Sequence, residues 1–533
     1  MGKNFFGVMI DCSRNGVMKV DRVKKFAEII SSFGYNMLQL YTEDTIKVDG
    51  EPYFGHLRGG YTKEEIKELV KYCKEVNVEL VPCIQTLAHL NQIFYWPAYE
   101  KIHDAIDILM VGEERTYKLI ENIFKTLREC YTTNYVNIGM DEATMLGLGK
   151  YLTKNGYQDR FSILLKHLKK VCEIAKKYNF KPIMWSDTFM RISNGDSFNY
   201  EDNVVPNSVK ELVPENIGLI YWDYYNTEFE HFDKAIKIHK EFNRELWFAG
   251  GAWSWVGFAP RNTYTLMSMK PAISACRENG VENVFMTMWG DDGRECSVFA
   301  LLPALYAIRR FYEGETDEEK IKKEFNIKTG EDYSAFFNLD LPNLIGQDIK
   351  IDTNVCKYAL FSDPFNGVLD TTILKGASEK YKKMVPILKK YSKKGEYAYL
   401  FDVEAKLCSV LSLKAELGSK QRKAYQENDR EELTRILGDY NKILSRLNVF
   451  YKSFKKAWLL DNKPGGFDAH DLRFGGLKQR LISCRERLKD YLDGKTKEIL
   501  ELSEKELCFF EGEEPFKTPV VCNWIVSASP NRI

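Results

Sequence analysis

Between Phe5 and Met288 the chain repeats one unit eight times: a short apolar run, followed in most repeats by a segment whose apolar positions lie three and four apart. The runs are 5–10, 37–41, 80–84, 135–138, 182–185, 218–221, 246–249 and 284–288. After the first run, Val20, Val23, Phe26, Ile30 and Phe33 share one helical face, and Gly34 is placed to stop that helix. After the second, Thr62 and Glu65 have the spacing of a capping box, with Ile66, Leu69, Val70 and Cys73 turned inward. Further helical patterns occupy 117–127, 161–178, 229–242 and 264–277, while the link after Trp185 is less regular. Strands that are apolar on both faces need cover on both faces, so this alternation predicts a parallel sheet wrapped by helices. Eight such units predict an α/β fold, a (β/α)8 barrel over residues 1–314. The competing arrangement is a doubly wound open sheet.

Beyond Glu315 the composition turns to Lys, Glu, Leu and Tyr with helical spacing, as at 380–391, 405–417 and 431–450. Residues 315–533 therefore read as a mainly helical C-terminal domain. The glycine pairs and proline of 462–476 read as a loop within it. The helical part could serve as a homodimerisation surface or as a packing partner for the barrel, and the sequence favours neither. If it dimerises, the 465–476 loop could reach a neighbouring barrel mouth.

Composition excludes several functions. Lys plus Arg and Asp plus Glu each number 76, so no global field favours nucleic acid or an anionic membrane surface. Twelve cysteines lie scattered without metal-ligand spacing, which predicts reduced, buried thiols. No apolar stretch is long enough for a membrane span or, at the N-terminus, for a secretory signal, so a cytoplasmic location is expected. Seven histidines, of which only His89 stands at a strand end, make a zinc site an unfavourable reading.

In a barrel of this kind chemistry sits at the C-terminal ends of the strands. The residues there are Asp11 and Arg14; Tyr41, Glu43 and Asp44; Gln85 and His89; Asp141 and Glu142; Trp185 and Asp187; Trp222, Asp223, Tyr224 and Tyr225; Trp253 and Trp255; and Trp289, Asp291 and Glu295. Carboxylates among aromatic rings suit a sugar, whose apolar C–H face packs on a ring while its hydroxyls bond to Asp, Glu and Arg. The adjacent Asp141 and Glu142 are the sharpest signal, because neighbouring carboxylates at one strand end can take different roles.

The fourth run reads Asn137-Ile138-Gly139-Met140-Asp141-Glu142, which resembles the His-x-Gly-x-Asp-Glu signature of glycoside hydrolase family 20, with Asn in place of His. Val8-Met9-Ile10-Asp11-Cys12-Ser13-Arg14 is similar to the family's Met-Leu-Asp-x-x-Arg, and 81–89 to its Ile-Pro-Glu-Ile-Asp-x-x-Gly-His with both acidic positions changed. The similarity runs from Gly7 to about Glu295, and the barrel-first layout looks like the bacterial branch without an N-terminal α/β domain. The resemblance implies an exo-β-N-acetylhexosaminidase that needs no cofactor or metal. Its substrate would be a glycan ending in N-acetylhexosamine, whose own acetamido oxygen attacks C1. Glu142 would be the general acid and then base, and Asp141 would hold the acetamido N–H. Tyr225 or Tyr224 would hold the acetamido oxygen, and Trp185, Trp253 and Trp289 would wall the pocket. Arg14 and Asp291 would grip the outer hydroxyls, with His89 tuning charge near Glu142. The rival readings are a non-catalytic carbohydrate-binding barrel, a retaining glycosidase with Asp223 or Glu295 as nucleophile, and a metal-dependent hydrolase.

Overall fold

The computed structural model describes residues 4–194, 205–345, 354–511 and 523–531. Eight parallel strands close into a barrel in chain order. They are β1 (Phe6–Asp11), β2 (Met37–Tyr41), β3 (Glu79–Cys83), β4 (Tyr135–Asn137), β5 (Lys181–Trp185), β6 (Gly218–Trp222), β7 (Glu245–Gly251) and β8 (Asn283–Met288). Closure runs through β1 and β8, with Gly7 opposite Phe285 and Met9 opposite Thr287. The sheet is therefore a closed barrel, not an open doubly wound one.

Alternation along the strands sorts the side chains. Met9, Met37, Val81, Ile183, Ile220, Trp247 and Phe285 fill the barrel interior, while Val8, Ile10, Leu38 and Leu40 face the helices outside. The first helix spans Val20–Phe33 and ends on Gly34 in the left-handed conformation at φ 96°. The capping box of Thr62 and Glu65 opens the helix Lys63–Glu75. Helices Glu114–Cys130, Arg160–Lys177, Phe229–Lys240 and Asn262–Glu278 cover the remaining strands. The irregular link after β5 holds two short helices, Asp187–Ser193 and Asn207–Leu212, and part of it, 195–204, lies outside the described residues.

After the helix Leu302–Tyr312 the described residues are mainly helical, with Ala377–Tyr391, Ala398–Lys414, Arg430–Asp461 and Phe467–Leu492 the long members. One expectation is corrected here. Residues 465–476 are no loop: after a short turn, Gly466 leads directly into Phe467–Leu492, and Gly475 and Gly476 lie inside that helix. Each interior glycine costs about 0.5–1 kcal/mol, and the burial of Phe467, His470, Phe474, Leu477 and Leu481 on one face outweighs it. The segment packs on its own barrel: His470 Nε2 lies 2.7 Å from the Gly293 carbonyl, and Arg473 donates to the Asp292 carbonyl at 2.7 Å. Barrel and helical region are joined elsewhere by Arg22 to Asp461 at 2.8 Å and by a backbone bridge between Met18 and Asn462.

Candidate active site

The turn after β4 carries the two carboxylates. Gly139, Met140 and Glu142 all have positive φ, at 74°, 70° and 51°. A Cβ on Gly139 would lie 2.0 Å from Gln85 Oε1, so only glycine permits the approach of the β3 end. Asn137, where the family signature has His, supports this turn: its Oδ1 accepts from Gly139 N at 3.1 Å and its amide donates to Gln39 at 3.3 Å. Gln85 holds three points at once. Its Oε1 accepts from Met140 N at 3.1 Å, and its Nε2 donates to Asp141 Oδ1 at 2.6 Å and to the Tyr41 hydroxyl at 2.9 Å.

The neighbours have different surroundings. Asp141 is buried, with His89 Nε2 3.2 Å from its second oxygen. Burial alone would raise its carboxyl, but His89 and the Gln85 amide hold it below the usual carboxylate range. Burial also opposes charge on His89, yet Asp141 and Glu43 outweigh it and lift the imidazole to about 10. Glu142 stands at the rim with its side chain 44% exposed, between Arg191 Nη2 at 3.0 Å and His89 Nε2 at 3.6 Å. Its backbone N–H donates to Asp187 Oδ2 at 2.9 Å, and Arg191 Nε donates to the same oxygen at 3.1 Å. Burial, then the charge of Asp141, pushes the Asp187 carboxyl up to about 7.

Around this pair lies a cavity of about 290 Å³, lined by Arg14, Tyr41, His89, Asp141, Glu142, Trp185, Trp222, Tyr224, Tyr225, Trp255, Trp289 and Asp291. It is near the small end of ligand sites, about 300 Å³ upward, and suits a single ring. Trp185, Trp222, Trp255 and Trp289 supply flat walls. Arg14 is held by Glu43 at 3.4 Å, and Glu43 in turn accepts from the Tyr41 hydroxyl at 3.0 Å. Asp291 is exposed at the rim. Tyr224 is buried against Trp222, ring centres 5.0 Å apart, whereas Tyr225 is 45% exposed.

Trp253, expected as a wall, is set back from the cavity. It stacks behind Trp255 at 4.6 Å, and its Nε1 donates to the Tyr224 carbonyl at 3.1 Å. Trp255 takes the place on the cavity wall, and Trp222 and Tyr41 join the lining; all three stand at strand ends, the signal by which they could have been chosen. Asp11 is consumed internally, accepting from Ser13 N at 2.8 Å and Gly290 N at 2.8 Å. The two alternative nucleophiles do not line the cavity. Asp223 lies 2.8 Å from His231 Nε2 and accepts from Tyr225 N at 2.9 Å, and Glu295 is buried 2.7 Å from Lys357 Nζ. Among the described residues no group of three His, Cys, Asp or Glu is placed to hold a metal ion, and no helix is long and apolar enough to cross a membrane.

The β8 loop that supplies Trp289 and Asp291 is gripped by the helical region. Lys357 Nζ lies 2.8 Å from Asp292 and 2.7 Å from Glu295, and Arg473 lies 2.9 and 3.4 Å from the same pair. Trp524 N donates to Asp292 Oδ2 at 3.0 Å. None of these anchors was legible as such in the sequence, because each partner is distant along the chain.

The chain is 23% identical over 255 residues to hexosaminidase D of Bos taurus, covering 45% of this chain and 67% of that protein. It is 24% identical over 169 residues to a beta-hexosaminidase of Akkermansia muciniphila, covering 26% of this chain but only 34% of that protein. Among solved structures it is similar to a β-N-acetylhexosaminidase from Bacteroides fragilis NCTC 9343, at 17% identity and a TM-score of 0.47, over 61% of this chain and 69% of that one. Residues 4–228 match the catalytic-domain model of glycosyl hydrolase family 20, and residues 331–521 match the glycoside hydrolase 20C C-terminal domain. With a catalytic-domain match that includes the β4 pair and a second match across the helical region, the chain belongs to glycoside hydrolase family 20.

Proposed function

We propose that the protein is an exo-β-N-acetylhexosaminidase working by substrate-assisted retention. The observation that carries this reading is the unlike setting of two adjacent carboxylates: Asp141 buried and braced in its charged form, Glu142 at the rim of a one-ring aromatic cavity. In the first step the acetamido oxygen bonds to C1 while the C1–O bond to the leaving group breaks and Glu142 delivers its proton to that oxygen. Asp141 accepts the acetamido N–H and stabilises the positive charge of the oxazolinium ion. Arg191, 3.0 Å away, stabilises the Glu142 carboxylate left behind. In the second step Glu142 takes a proton from water as its oxygen attacks C1, which restores the acetamido group with net retention.

Arg14 and Asp291 are assigned to the outer hydroxyls, Trp185 and Trp289 to the walls around the acetamido group, and Trp255 takes over the part expected of Trp253. Tyr225 is the better candidate for the acetamido oxygen, because Tyr224 is buried with its hydroxyl beside Trp289 and Thr287. The internal ties of Asp223 and Glu295 favour the substrate's own nucleophile over a carboxylate. We place the enzyme in the cytoplasm: the described cysteines are free and all but Cys508 are buried, as a reducing compartment allows. Cell fractionation checks this, and light scattering checks for a homodimer.

The test of the activity is hydrolysis of paired aryl β-glycosides, one with 2-acetamido and one with 2-hydroxyl, by wild type, Asp141→Ala and Glu142→Ala. Cleavage of the acetamido substrate alone, lost in both variants and blocked by an oxazoline-like thiazoline, is expected. Equal cleavage of both substrates would replace this mechanism with a carboxylate nucleophile; cleavage of neither would leave a carbohydrate-binding barrel.

A further inference from the structure

The loops after β2 and β3 carry an aromatic surface that the one-ring cavity does not use. Trp96 is its hub: the rings of Tyr53, His56 and Tyr95 lie 5.6, 5.2 and 5.1 Å from it, centre to centre. Tyr53 and Tyr95 are 46% and 78% exposed, and through Trp96 they form one contiguous aromatic patch rather than scattered rings. Both loops leave the C-terminal ends of neighbouring strands, so the surface shares the barrel face that holds the cavity. Its base is rigid. Glu51, buried, accepts from Tyr99 at 3.1 Å, from Arg115 at 2.5 and 2.8 Å and from Asn122 at 2.9 Å, which ties the two loops to the helix Glu114–Cys130.

Its position relative to the chemistry follows from the chain. His89 lines the cavity, and its N–H donates at 3.0 Å to Asp107, on the returning arm of the loop that carries Tyr95 and Trp96. Trp96 follows His89 by seven residues, at most about 25 Å when extended, and less here because Ile93–Tyr95 is a 3-10 turn. The leaving group must emerge beside Glu142, whose exposed carboxylate touches His89 on that side. A glycan extending from the cavity past His89 meets the tyrosine and tryptophan rings, whose flat apolar faces suit the C–H face of a neutral sugar.

We propose that the Tyr53–Trp96–Tyr95 platform is a leaving-group subsite that stacks sugar rings of the oligosaccharide from which the terminal residue is cut. The proposal rests on the hexosaminidase reading. Its test compares wild type, Tyr53→Ala, Tyr95→Ala and the double variant on an aryl N-acetyl-β-glucosaminide, too short to reach the platform, and on β1,3-, β1,4- and β1,6-linked oligosaccharides of two to six sugars. Both side chains are exposed, so the variants should fold, which melting curves verify.

For wild type, kcat/KM should rise with chain length in at least one series. The variants should match wild type within about twofold on the aryl glycoside and lose about three- to tenfold on the longest good oligosaccharide, mainly in KM, the range of one or two aromatic contacts. Wild type inactive on the aryl glycoside and on every oligosaccharide removes the activity, and the subsite with it. Activity on the aryl glycoside with no gain from chain length, or equal losses on short and long substrates, overturns the subsite alone. So does a wild-type dimer that the double variant dissociates while oligosaccharide kinetics stay unchanged, since a second copy would then cover the rings.

Discussion

Replacing Lys357 by Met tests whether the helical region shapes the active site or merely accompanies it. Lys357 Nζ is 2.7 Å from Glu295 and 2.8 Å from Asp292, with lysine and glutamate side chains each 2% exposed. At an effective dielectric of about 20, each contact has a gross attraction of about 6 kcal/mol. Desolvation offsets most of that in the intact network. Removing the cation leaves Glu295 buried beside Asp292, with Arg473 at 2.9 and 3.4 Å the remaining cation against both among the described residues and the Trp524 N–H on Asp292 alone. Breaking a buried pair in this way costs about 3–5 kcal/mol, enough to lower the melting temperature by roughly 5 °C or more. The loop that relaxes presents Trp289 and Asp291, so kcat/KM on an aryl N-acetyl-β-glucosaminide should fall by about ten- to a hundredfold. Adding Glu295→Gln should return part of both losses, because it removes the stranded charge. Thermal unfolding by circular dichroism and steady-state kinetics measure the two effects. A Lys357→Met protein that melts with wild type and keeps kcat/KM within twofold would refute the reasoning.

Gln85→Leu should lower kcat by about a hundredfold with a smaller change in KM, since it frees Asp141 Oδ1 and Met140 N together; equal kcat would show that His89 alone orients Asp141. Gly139→Ala should cost about 1–3 kcal/mol and most of the activity, because φ is 74° and the new Cβ would meet Gln85 Oε1 at 2.0 Å; denaturant titration measures the stability change. The raised Asp187 carboxyl gives a pH prediction. Between the unfolded value of about 3.9 and the folded value of about 7, the folded state keeps a proton that the unfolded state has lost. Stability from this group is therefore greatest below pH 4 and erodes as pH rises toward 7. Asp187→Asn should make the melting temperature fall less steeply across that window; an unchanged slope would place the carboxyl's titration elsewhere.

Much of the fold was legible because its signals are local. An apolar run such as 37–41 needs only its neighbours to declare a strand, and Thr62 with Glu65 declares a helix start within four residues. The order of β1 to β8 and the C-terminal placement of Asp141 and Glu142 follow from that alternation and from the geometry of a parallel barrel. Glycine chemistry was a weaker guide: Gly475 and Gly476 are helical because Phe467, Phe474 and Leu477 have an apolar surface to cover, which no local propensity reports.

The site divides along the same line. The sequence by itself determined which strand ends carry carboxylates and rings, and hence the kind of ligand. Tertiary structure decided which ring of a pair such as Trp253 and Trp255 meets the cavity, because a loop side chain points where distant contacts leave room for it. It also decided that Gln85 braces Asp141 across 56 residues, and that Lys357 and Arg473 hold the β8 loop from 65 and 181 residues away. Periodicity acts over a few residues, whereas hydrogen bonds and ion pairs of this separation exist only once the chain has closed on itself.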